Sequence, residues 1–343
     1  MEVGGRLLVD SASFTVMPRD KVGIVGRNGA GKTSLFKVLG GANEPKAGKV
    51  LRKGGFGYLP QDPKIDSALD GRSCVTHVLS GRGIDDEITR IEKLRISMEE
   101  NPDERNVTRY TAAEEAFRTN GGYAAESEAR AMAAGLGIPD ERLDQPISTL
   151  SGGERRRVEL ARILFAGSDV LCLDEPTNHL DVDAKAWLLG FLRQYKGALL
   201  VISHDLELLD ESITRVLHLD RATETDVGEI FEYRGTYSQY QRARADDEAR
   251  LAKKAVLQAK EIDRLQTVVD RFGAKATKAA MAHSVEKRIA RLETQRVRGP
   301  QGAKTMTVRF PDPPKCGETV IRASGMCKAY GGPTIFEDID FDL

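Results

Sequence analysis

The sequence lacks the features of membrane-embedded, disulfide-rich and zinc-binding proteins. No apolar run approaches the roughly 18–20 residues that a membrane-spanning helix needs. The four cysteines form no C-x-x-C pair and have no metal-ligand spacing, a usage that suits a reducing compartment. The opening residues Met1, Glu2 and Val3 include an acid and no basic region before a long apolar stretch. We therefore expect no signal peptide and a cytoplasmic location.

The chain also has little net charge. Its 51 Lys and Arg are offset by 52 Asp and Glu, which leaves a formal net charge of −1. A value so close to zero gives no global attraction to nucleic acid, although a local basic patch can still exist. The length of 343 residues, 40% hydrophobic and 30% charged, is typical of a soluble globular protein with two or more domains.

A glycine-rich segment dominates the first part of the chain. Residues 26–33 read G-x-x-x-x-G-K-[ST], the phosphate-binding P-loop motif. An apolar, β-branched run precedes the motif and a run without helix breakers follows it, so we expect a strand, a loop and a helix. The loop would point backbone N–H groups at phosphate oxygens, with Lys32 at the β- and γ-phosphates and the Thr33 hydroxyl on Mg²⁺. The predicted nucleotide-binding residues of this segment are Gly26, Asn28, Gly29, Ala30, Gly31, Lys32, Thr33 and Ser34.

Polar side chains follow the later predicted strands. The apolar run 170–173 ends in Asp174 and Glu175, and the run 198–202 is followed by His204. In open α/β sheets, ligands bind at the carboxyl ends of the strands. Each of these residues alone would be explained as an ordinary strand end or surface histidine, and only their order along the chain favours a functional site.

We expect further strands on either side of the P-loop. Residues 6–10 and 13–16 predict a strand pair before it, and residues 48–60 predict strands that end at Gln61.

The middle of the chain changes character. Residues 73–136 are rich in Ala, Glu and Arg, and their apolar positions have helical spacing, which predicts an inserted helical subdomain at about 73–165. We expect breaks at 101–103 and 121–122. A further helix opens at Leu150-Ser151-Gly152-Gly153-Glu154, where Ser151 suits the N-cap and Glu154 completes a capping box. Alone, this would be a helix N-terminus and nothing more.

Residues 242–298 are charged, rich in alanine and poor in glycine. Their apolar spacing predicts two long helices that turn near Gly273 and pack as an antiparallel hairpin. Residues 235–300 contain fifteen Lys and Arg against eight Asp and Glu, a net charge of +7. This basic hairpin suits RNA phosphates, although charged runs usually mark solvated helix faces. The predicted apolar stripes are Leu251, Ala255, Ile262, Leu265, Val269 and Phe272 on one helix and Met281, Val285, Ile289 and Leu292 on the other.

The end of the chain repeats its beginning. Residues 330–343 align with residues 3–16 at a constant offset of 327, with matching glycine pairs and with Phe341 on Phe14. A proline-containing linker precedes this segment. We therefore expect three parts, namely a P-loop domain at 1–240, a hairpin at 241–299, and a linker with the start of a truncated second copy of that domain at 300–343. By this reasoning the chain is a fragment.

Together these motifs resemble the ATP-binding cassette family. The resemblance covers residues 1–235. It includes the P-loop, the glutamine loop at Gln61, the LSGG signature at 150–153, the Walker B acids Asp174 and Glu175, the D-loop at Leu180-Asp181 and the switch histidine His204. It implies an α/β P-loop NTPase core of the ABC type with an inserted helical subdomain, followed by the hairpin. It also implies a Mg²⁺-dependent ATPase with ATP and Mg²⁺ bound. In this family Asp174, Thr33 and Gln61 would hold the metal, Glu175 would be the general base, Gln61 would touch the attacking water, and His204 would contact the γ-phosphate.

In the same family the signature of one cassette covers the nucleotide of another, so Ser151, Gly152 and Gly153 would bind a partner's nucleotide. The partner would be a second cassette of the same protein or, for this fragment, a second copy. One departure concerns the aromatic residue that usually stacks on adenine, because Val3 occupies its position here and Tyr330 occupies it in the repeat.

Tandem cassettes without a membrane segment resemble the ABC-F subfamily, and Glu175-Pro176-Thr177-Asn178-His179-Leu180-Asp181 has the form common in that group. The resemblance implies binding to the ribosome through the basic hairpin at 241–299, near rRNA and tRNA, in translation regulation or antibiotic protection. Residues 271–279 resemble the tip of that linker, and part of 84–125 would be a ribosome-contacting arm. Two alternatives stay open, the ATPase subunit of a transporter and a DNA-binding regulator.

Overall fold

The computed structural model describes residues 2–3, 6–7, 9, 12–62, 71–221, 227–273, 279–295, 309, 311, 320–330, 332 and 334–343. The chain divides into two compact units, Met1–Pro300 and Gln301–Leu343. Several predictions lie outside the described residues: those for Gly4, Gly5, residues 274–278, residues 299–302, Pro313 and Pro314, and Gly331. The boundaries proposed at 240 and 299 stay predictions.

Strands occur in both units. They are β1 (Glu2–Val3), β2 (Arg6–Leu7), β3 (Lys21–Gly26), β4 (Phe56–Leu59), β5 (Val170–Asp174), β6 (Ala198–Ile202), β7 (Arg215–Asp220), β8 (Glu229–Arg234), β9 (Arg322–Lys328) and β10 (Phe336–Asp342).

The α-helices occur in the first unit. They are α1 (Lys32–Leu39), α2 (Cys74–Leu79), α3 (Ile84–Glu100), α4 (Glu104–Thr119), α5 (Gly122–Gly135), α6 (Asp140–Leu143), α7 (Gly152–Phe165), α8 (Val182–Gln194), α9 (Leu206–Ser212), α10 (Tyr237–Gly273) and α11 (Ala279–Thr294). Short 3-10 turns lie at Ser80–Arg82 and Ile147–Thr149. No helix in the described residues is both long and apolar enough to cross a membrane.

A six-stranded sheet forms the centre of the first unit, in the order β4-β5-β6-β3-β7-β8. All neighbouring strands are parallel except β7 and β8. The inner strands are continuous apolar runs because helices cover both faces of such a sheet, and all five residues of β6 are buried. Since β3, β4, β5 and β6 run in the same direction, the residues that follow them meet at one edge of the sheet.

The helical subdomain begins and ends where local capping chemistry dictates. The Ser73 side chain accepts a hydrogen bond from the amide of Thr76 at the start of α2, and Asp103 does the same for Asn106 at the start of α4. Gly121 adopts φ 76°, a left-handed conformation that lets α4 end and α5 begin within two residues. The predicted breaks at 101–103 and 121–122 are confirmed.

The predicted hairpin is also present, formed by α10 and α11. Gln258 Nε2 of α10 donates hydrogen bonds to the carbonyl oxygens of Leu292 and Gln295, over 2.9 and 3.1 Å. Among the residues predicted to form the apolar stripes of the hairpin, Ile289 is buried. Leu251 is 43% exposed, so its predicted place in the packed stripe is wrong. The reason is that α11 ends level with Gln258, so that no described part of α11 lies opposite Leu251. The side chains of Phe272 and Met281 lie outside the described residues.

Two strand predictions are wrong. Residues 13–16 form no strand, and residues 48–55 form none before β4. Phe14 and Val16 pack instead against the apolar side chains of the sheet. The repeated segment does form a strand in the second unit, where β10 pairs antiparallel with β9. A strand needs a hydrogen-bonded partner as well as a suitable pattern, and no described strand pairs with residues 13–16.

Candidate functional site

The predicted P-loop joins β3 to α1 and curls as its glycines allow. Gly29 and Gly31 have φ values of 76° and 104°, which side chains with a Cβ atom rarely adopt. A Cβ atom added to Gly26 would lie 2.6 Å from the carbonyl oxygen of Leu219 on β7, so this position has room only for glycine. Ala30 is buried, and its amide donates to the carbonyl of Arg27 across the turn. The loop therefore forms a tight cradle at the N-terminus of a helix, where an anion is stabilised.

Lys32 lies over this cradle. Its Nζ donates to the carbonyl oxygens of Gly26 at 2.9 Å and of Arg27 at 3.2 Å. Burial lowers the pKa of Lys32, while the nearby carboxylates of Glu175 and Asp174 partly counter that shift. The side chain is thus a half-buried cation next to the two acids that the sequence singled out.

Asp174 ends β5 and faces the start of α1. It is 1% exposed, and its side chain hydrogen-bonds that of Thr33. Burial raises the pKa of Asp174, against the opposing effects of Thr33, Arg156 and Lys32. Its Oδ2 atom is buried and has no hydrogen-bond partner, which is costly unless something binds there.

These residues fit a magnesium ion. A threonine hydroxyl beside an aspartate with an unpaired buried oxygen offers the hard oxygen ligands that Mg²⁺ prefers, so Thr33 and Asp174 would hold the ion. The described residues contain no group of three or more His, Cys, Asp and Glu that would form an all-protein metal site.

Glu175 is held at the end of the same strand in an uncommon conformation. Its φ is 52°, and its amide donates to the carbonyl of Ile202 on β6 over 2.8 Å. Non-glycine residues in this region carry strain that is concentrated at functional sites. The side chain is 6% exposed, and burial raises its pKa. A carboxylate with a raised pKa next to a phosphate cradle has the chemistry of a general base.

His204 follows β6 and contacts Glu175 in two ways. Its amide donates to Glu175 Oε2 over 3.1 Å, and its ring Nε2 lies 3.4 Å from Glu175 Oε1. The imidazole is 67% exposed, so it is accessible to a ligand bound at the carboxyl ends of the parallel strands.

Gln61 follows β4 and is exposed. Its carbonyl oxygen accepts a hydrogen bond from Nη1 of Arg156, a residue of α7. Nη2 of the same guanidinium donates to the carbonyls of Asp174 and Glu175, over 3.0 and 2.7 Å. Arg156 is not among the site residues that the sequence predicts. It belongs to an arginine triplet, residues 155–157, that follows Glu154, but this pattern does not reveal which carbonyls Arg156 binds.

The signature residues lie at the N-terminus of α7, where a Cβ atom added to Gly153 would lie 3.7 Å from the Cβ atom of His179. Ser151 is the N-cap, and Glu154 closes a capping box by accepting from the amide of Ser151 over 2.8 Å. The predicted capping box is confirmed. In the described part of the chain, Ser151, Gly152 and Gly153 form no hydrogen bond with the P-loop. The structure thus brings together Lys32, Thr33, Asp174, Glu175 and His204.

Two family models, both described as "ABC transporter", match residues 9–178 and 223–310. The chain belongs to the ATP-binding cassette family. The predicted α/β fold of the ABC type is thereby confirmed.

Named relatives refine that assignment. The chain is 37% identical to the probable ATP-binding protein YheS of Haemophilus influenzae over 290 residues, 83% of this chain and 43% of that protein. It is 32% identical to YheS of Escherichia coli K12, over 99% of this chain and 51% of that protein. It is 31% identical to the energy-dependent translational throttle protein EttA of Mycobacterium tuberculosis, over 99% of this chain and 59% of that protein. The resemblance to the ABC-F subfamily is confirmed, and the chain spans about half the length of these curated relatives.

Proposed function

We propose that this chain binds ATP with Mg²⁺ and hydrolyses the ATP when a second cassette completes the site. The observation that supports this most directly is the meeting of Lys32, Thr33, Asp174 and Glu175 at one edge of the sheet. Phosphoryl transfer depends mainly on charge neutralisation and in-line positioning, and these are the groups that supply both.

Each of these residues has a defined part in the proposal. Lys32 and the amides of the P-loop bind the β- and γ-phosphates. Thr33, Asp174 and Gln61 hold Mg²⁺, which when bound neutralises charge on the phosphate oxygens. Glu175 accepts a proton from the attacking water, and His204, which lies beside Glu175, contacts the γ-phosphate.

The signature supplies the reason why a second cassette is needed. Ser151 caps a 14-residue helix that begins at Gly152, and in the described residues the signature forms no hydrogen bond with the P-loop of its own cassette. The N–H groups of Gly152 and Gly153 are suited to the γ-phosphate of a nucleotide on a partner cassette, whereas the amide of Ser151 already donates to Glu154. For this chain by itself we expect nucleotide binding and slow hydrolysis whose rate per chain rises with protein concentration. Fast hydrolysis that does not depend on concentration would contradict the shared site.

We further propose that ATP turnover acts on the ribosome in the cytoplasm. EttA, the relative named above, is called a translational throttle, and the hairpin of this chain carries an excess of basic residues. Lys253 and Lys254 lie exposed on α10, and Lys287 lies exposed on α11. Cationic side chains along an exposed rod are suited to RNA phosphates, since binding releases counterions and becomes strongly dependent on salt.

Ribosome co-sedimentation tests this role. We expect Glu175→Gln to hold the chain on ribosomes in the presence of ATP, and ribosomes to raise ATP hydrolysis by the unaltered chain. The double change Lys253→Glu and Lys254→Glu should weaken that binding and flatten its salt dependence. Lys49→Glu with Lys53→Glu, on exposed residues of the cassette, makes the same change in charge away from the hairpin and serves as the control.

The outcomes separate the alternatives. Absence of both co-sedimentation and stimulation would contradict the ribosomal role. Displacement of the chain from ribosomes by duplex DNA would favour a DNA-binding regulator, and a stable complex with a membrane protein would favour a transporter subunit. Growth of cells with and without the protein, in the presence of ribosome-targeting antibiotics, distinguishes antibiotic protection from regulation of translation.

A further inference from the structure

Arg156 has an environment that is unusual for a charged side chain. It is 8% exposed, and its guanidinium forms no ion pair with a carboxylate in the described residues. It donates instead to three main-chain carbonyls, those of Gln61, Asp174 and Glu175. Burial lowers the pKa of Arg156, a sign that the charge is kept away from water at a cost.

The three carbonyls belong to two separate segments of the site. Asp174 and Glu175 end β5, whereas Gln61 lies just beyond the neighbouring strand β4. A guanidinium is planar and rigid, so its two terminal nitrogens fix the separation of whatever they bind. Arg156 therefore sets the position of the Gln61 loop relative to the two acids.

The same residue lies four positions after Gly152, one helical turn into α7. Its neighbour Arg155 donates to the carbonyls of Leu150 and Ser148, on the segment that leads into the signature. Successive arginines thus connect the signature to this cassette's own metal and water-binding segments.

We propose that Arg156 is a positioning residue that keeps Gln61 aligned with Asp174 and Glu175 and links that alignment to the signature helix. This inference rests on the proposed ATPase function, in which Gln61 contacts the metal and the attacking water. Arg156 touches neither nucleotide nor metal in this account and acts through main-chain carbonyls.

A double-variant comparison tests the proposal on the whole chain. We expect Arg156→Met to lower kcat by about 10- to 100-fold, with KM for ATP little changed, because the attacking water is misaligned while the phosphate cradle is intact. If Arg156 acts through Gln61, the variant carrying both Arg156→Met and Gln61→Ala is about as slow as Gln61→Ala alone. If Arg156 had only a structural role, Arg156→Met would slow the Gln61→Ala chain by about the same factor as it slows the unaltered chain. That result would overturn the proposal.

Amide hydrogen exchange gives a readout that does not depend on hydrolysis. Residues 56–62 should exchange faster in Arg156→Met and in Arg156→Lys, since lysine keeps the charge but lacks the planar guanidinium whose two terminal nitrogens bind the two segments in a fixed geometry. Arg157→Met is the matched control, because Arg157 lies on the same helix and donates to the carbonyl of Gly137 instead. We expect it to leave exchange at 56–62 and kcat unchanged.

The two readouts distinguish failure of this inference from failure of the proposed function. Unchanged exchange at residues 56–62 in Arg156→Lys would overturn the positioning role whatever the activity. If the unaltered chain does not hydrolyse ATP with or without ribosomes, the proposed function fails, and exchange at 56–62 still decides the role of Arg156.

Discussion

Nη1 of Arg244 donates a hydrogen bond to Nε2 of His218 over 2.7 Å, and this bond ties the start of the hairpin to the sheet. Arg244 lies two turns into α10, and His218 lies on β7, paired with Val25 in the P-loop strand. Arg244 also donates to the hydroxyl of Tyr240, which is 4% exposed. The hairpin is therefore joined to the strand that lies directly beside the phosphate cradle.

His218 must be neutral to accept this hydrogen bond. Burial, together with the Arg244 charge, lowers the pKa of His218 to about 4. The pKa of His218 is lower in the folded chain than in the unfolded chain. The contribution of His218 to the free energy of unfolding is therefore present above about pH 6.5 and is lost as pH falls toward 4. A shift of this size corresponds to about 3 kcal/mol in the free energy of unfolding. We expect this pH-dependent part to vanish in His218→Gln, whose side chain accepts the bond but does not titrate.

Urea denaturation at several pH values between 4 and 7 measures this difference. Other groups titrate in the same range, so the quantity to compare is the change between the unaltered chain and the variant. His283→Gln, on an exposed histidine of α11, should follow the unaltered chain. Parallel pH profiles for the unaltered chain and His218→Gln would contradict the prediction.

Lys32→Met should abolish measurable nucleotide binding while the chain stays folded. The change removes the cation that lies over the P-loop, but it leaves the glycine conformations that shape the loop. Titration with a fluorescent ATP analogue measures the affinity, which we expect to fall by more than about tenfold. Lys37→Met, on an exposed lysine of the same helix, should bind the analogue like the unaltered chain. Equal loss in both variants would point to damage to α1.

Much of the site could be predicted because its signals are local. The P-loop pattern fixes its own backbone, and parallel strands carry Asp174, Glu175 and His204 to one edge whatever the distance between them along the chain. The hairpin was predictable for the same reason, since its helical periodicity is repeated over many turns.

The rest depended on contacts between distant segments. Arg156 binds a carbonyl that is 95 residues away, and nothing in the arginine triplet indicates which of its members turns inward. The strand predicted at 13–16 has a suitable pattern but no pairing partner among the described residues. Leu251 has the right spacing, but no helix in the described part of the chain lies opposite it. In each case the missing information was tertiary.

Glu175→Gln should stabilise the chain at neutral pH in addition to slowing hydrolysis. Burial raises the pKa of Glu175, so the stability that the buried carboxyl contributes is fully present below its ordinary pKa and is lost as pH rises through the folded-state value. Glutamine carries no charge to bury. The melting temperature of the variant should therefore exceed that of the unaltered chain at pH 7–8, and the difference should shrink toward pH 4. Glu100→Gln, on an exposed carboxylate, is the control, and a gain that is largest at acid pH would refute the argument.

Gln258→Ala should loosen the contact between α10 and the C-terminal end of α11. The side chain of Gln258 bonds the carbonyls of Leu292 and Gln295, at the C-terminal end of α11, where helical carbonyls lack partners within their own helix. Loss of two partly exposed hydrogen bonds should cost roughly 1–2 kcal/mol of local stability. Amide exchange at residues 285–295 should accelerate accordingly, while exchange in the sheet stays unchanged. Gln266→Ala removes a glutamine that bonds Asp270 on its own helix, so it should leave α11 unaffected. Equal protection of α11 in both variants would show that Gln258 does not hold the two helices together.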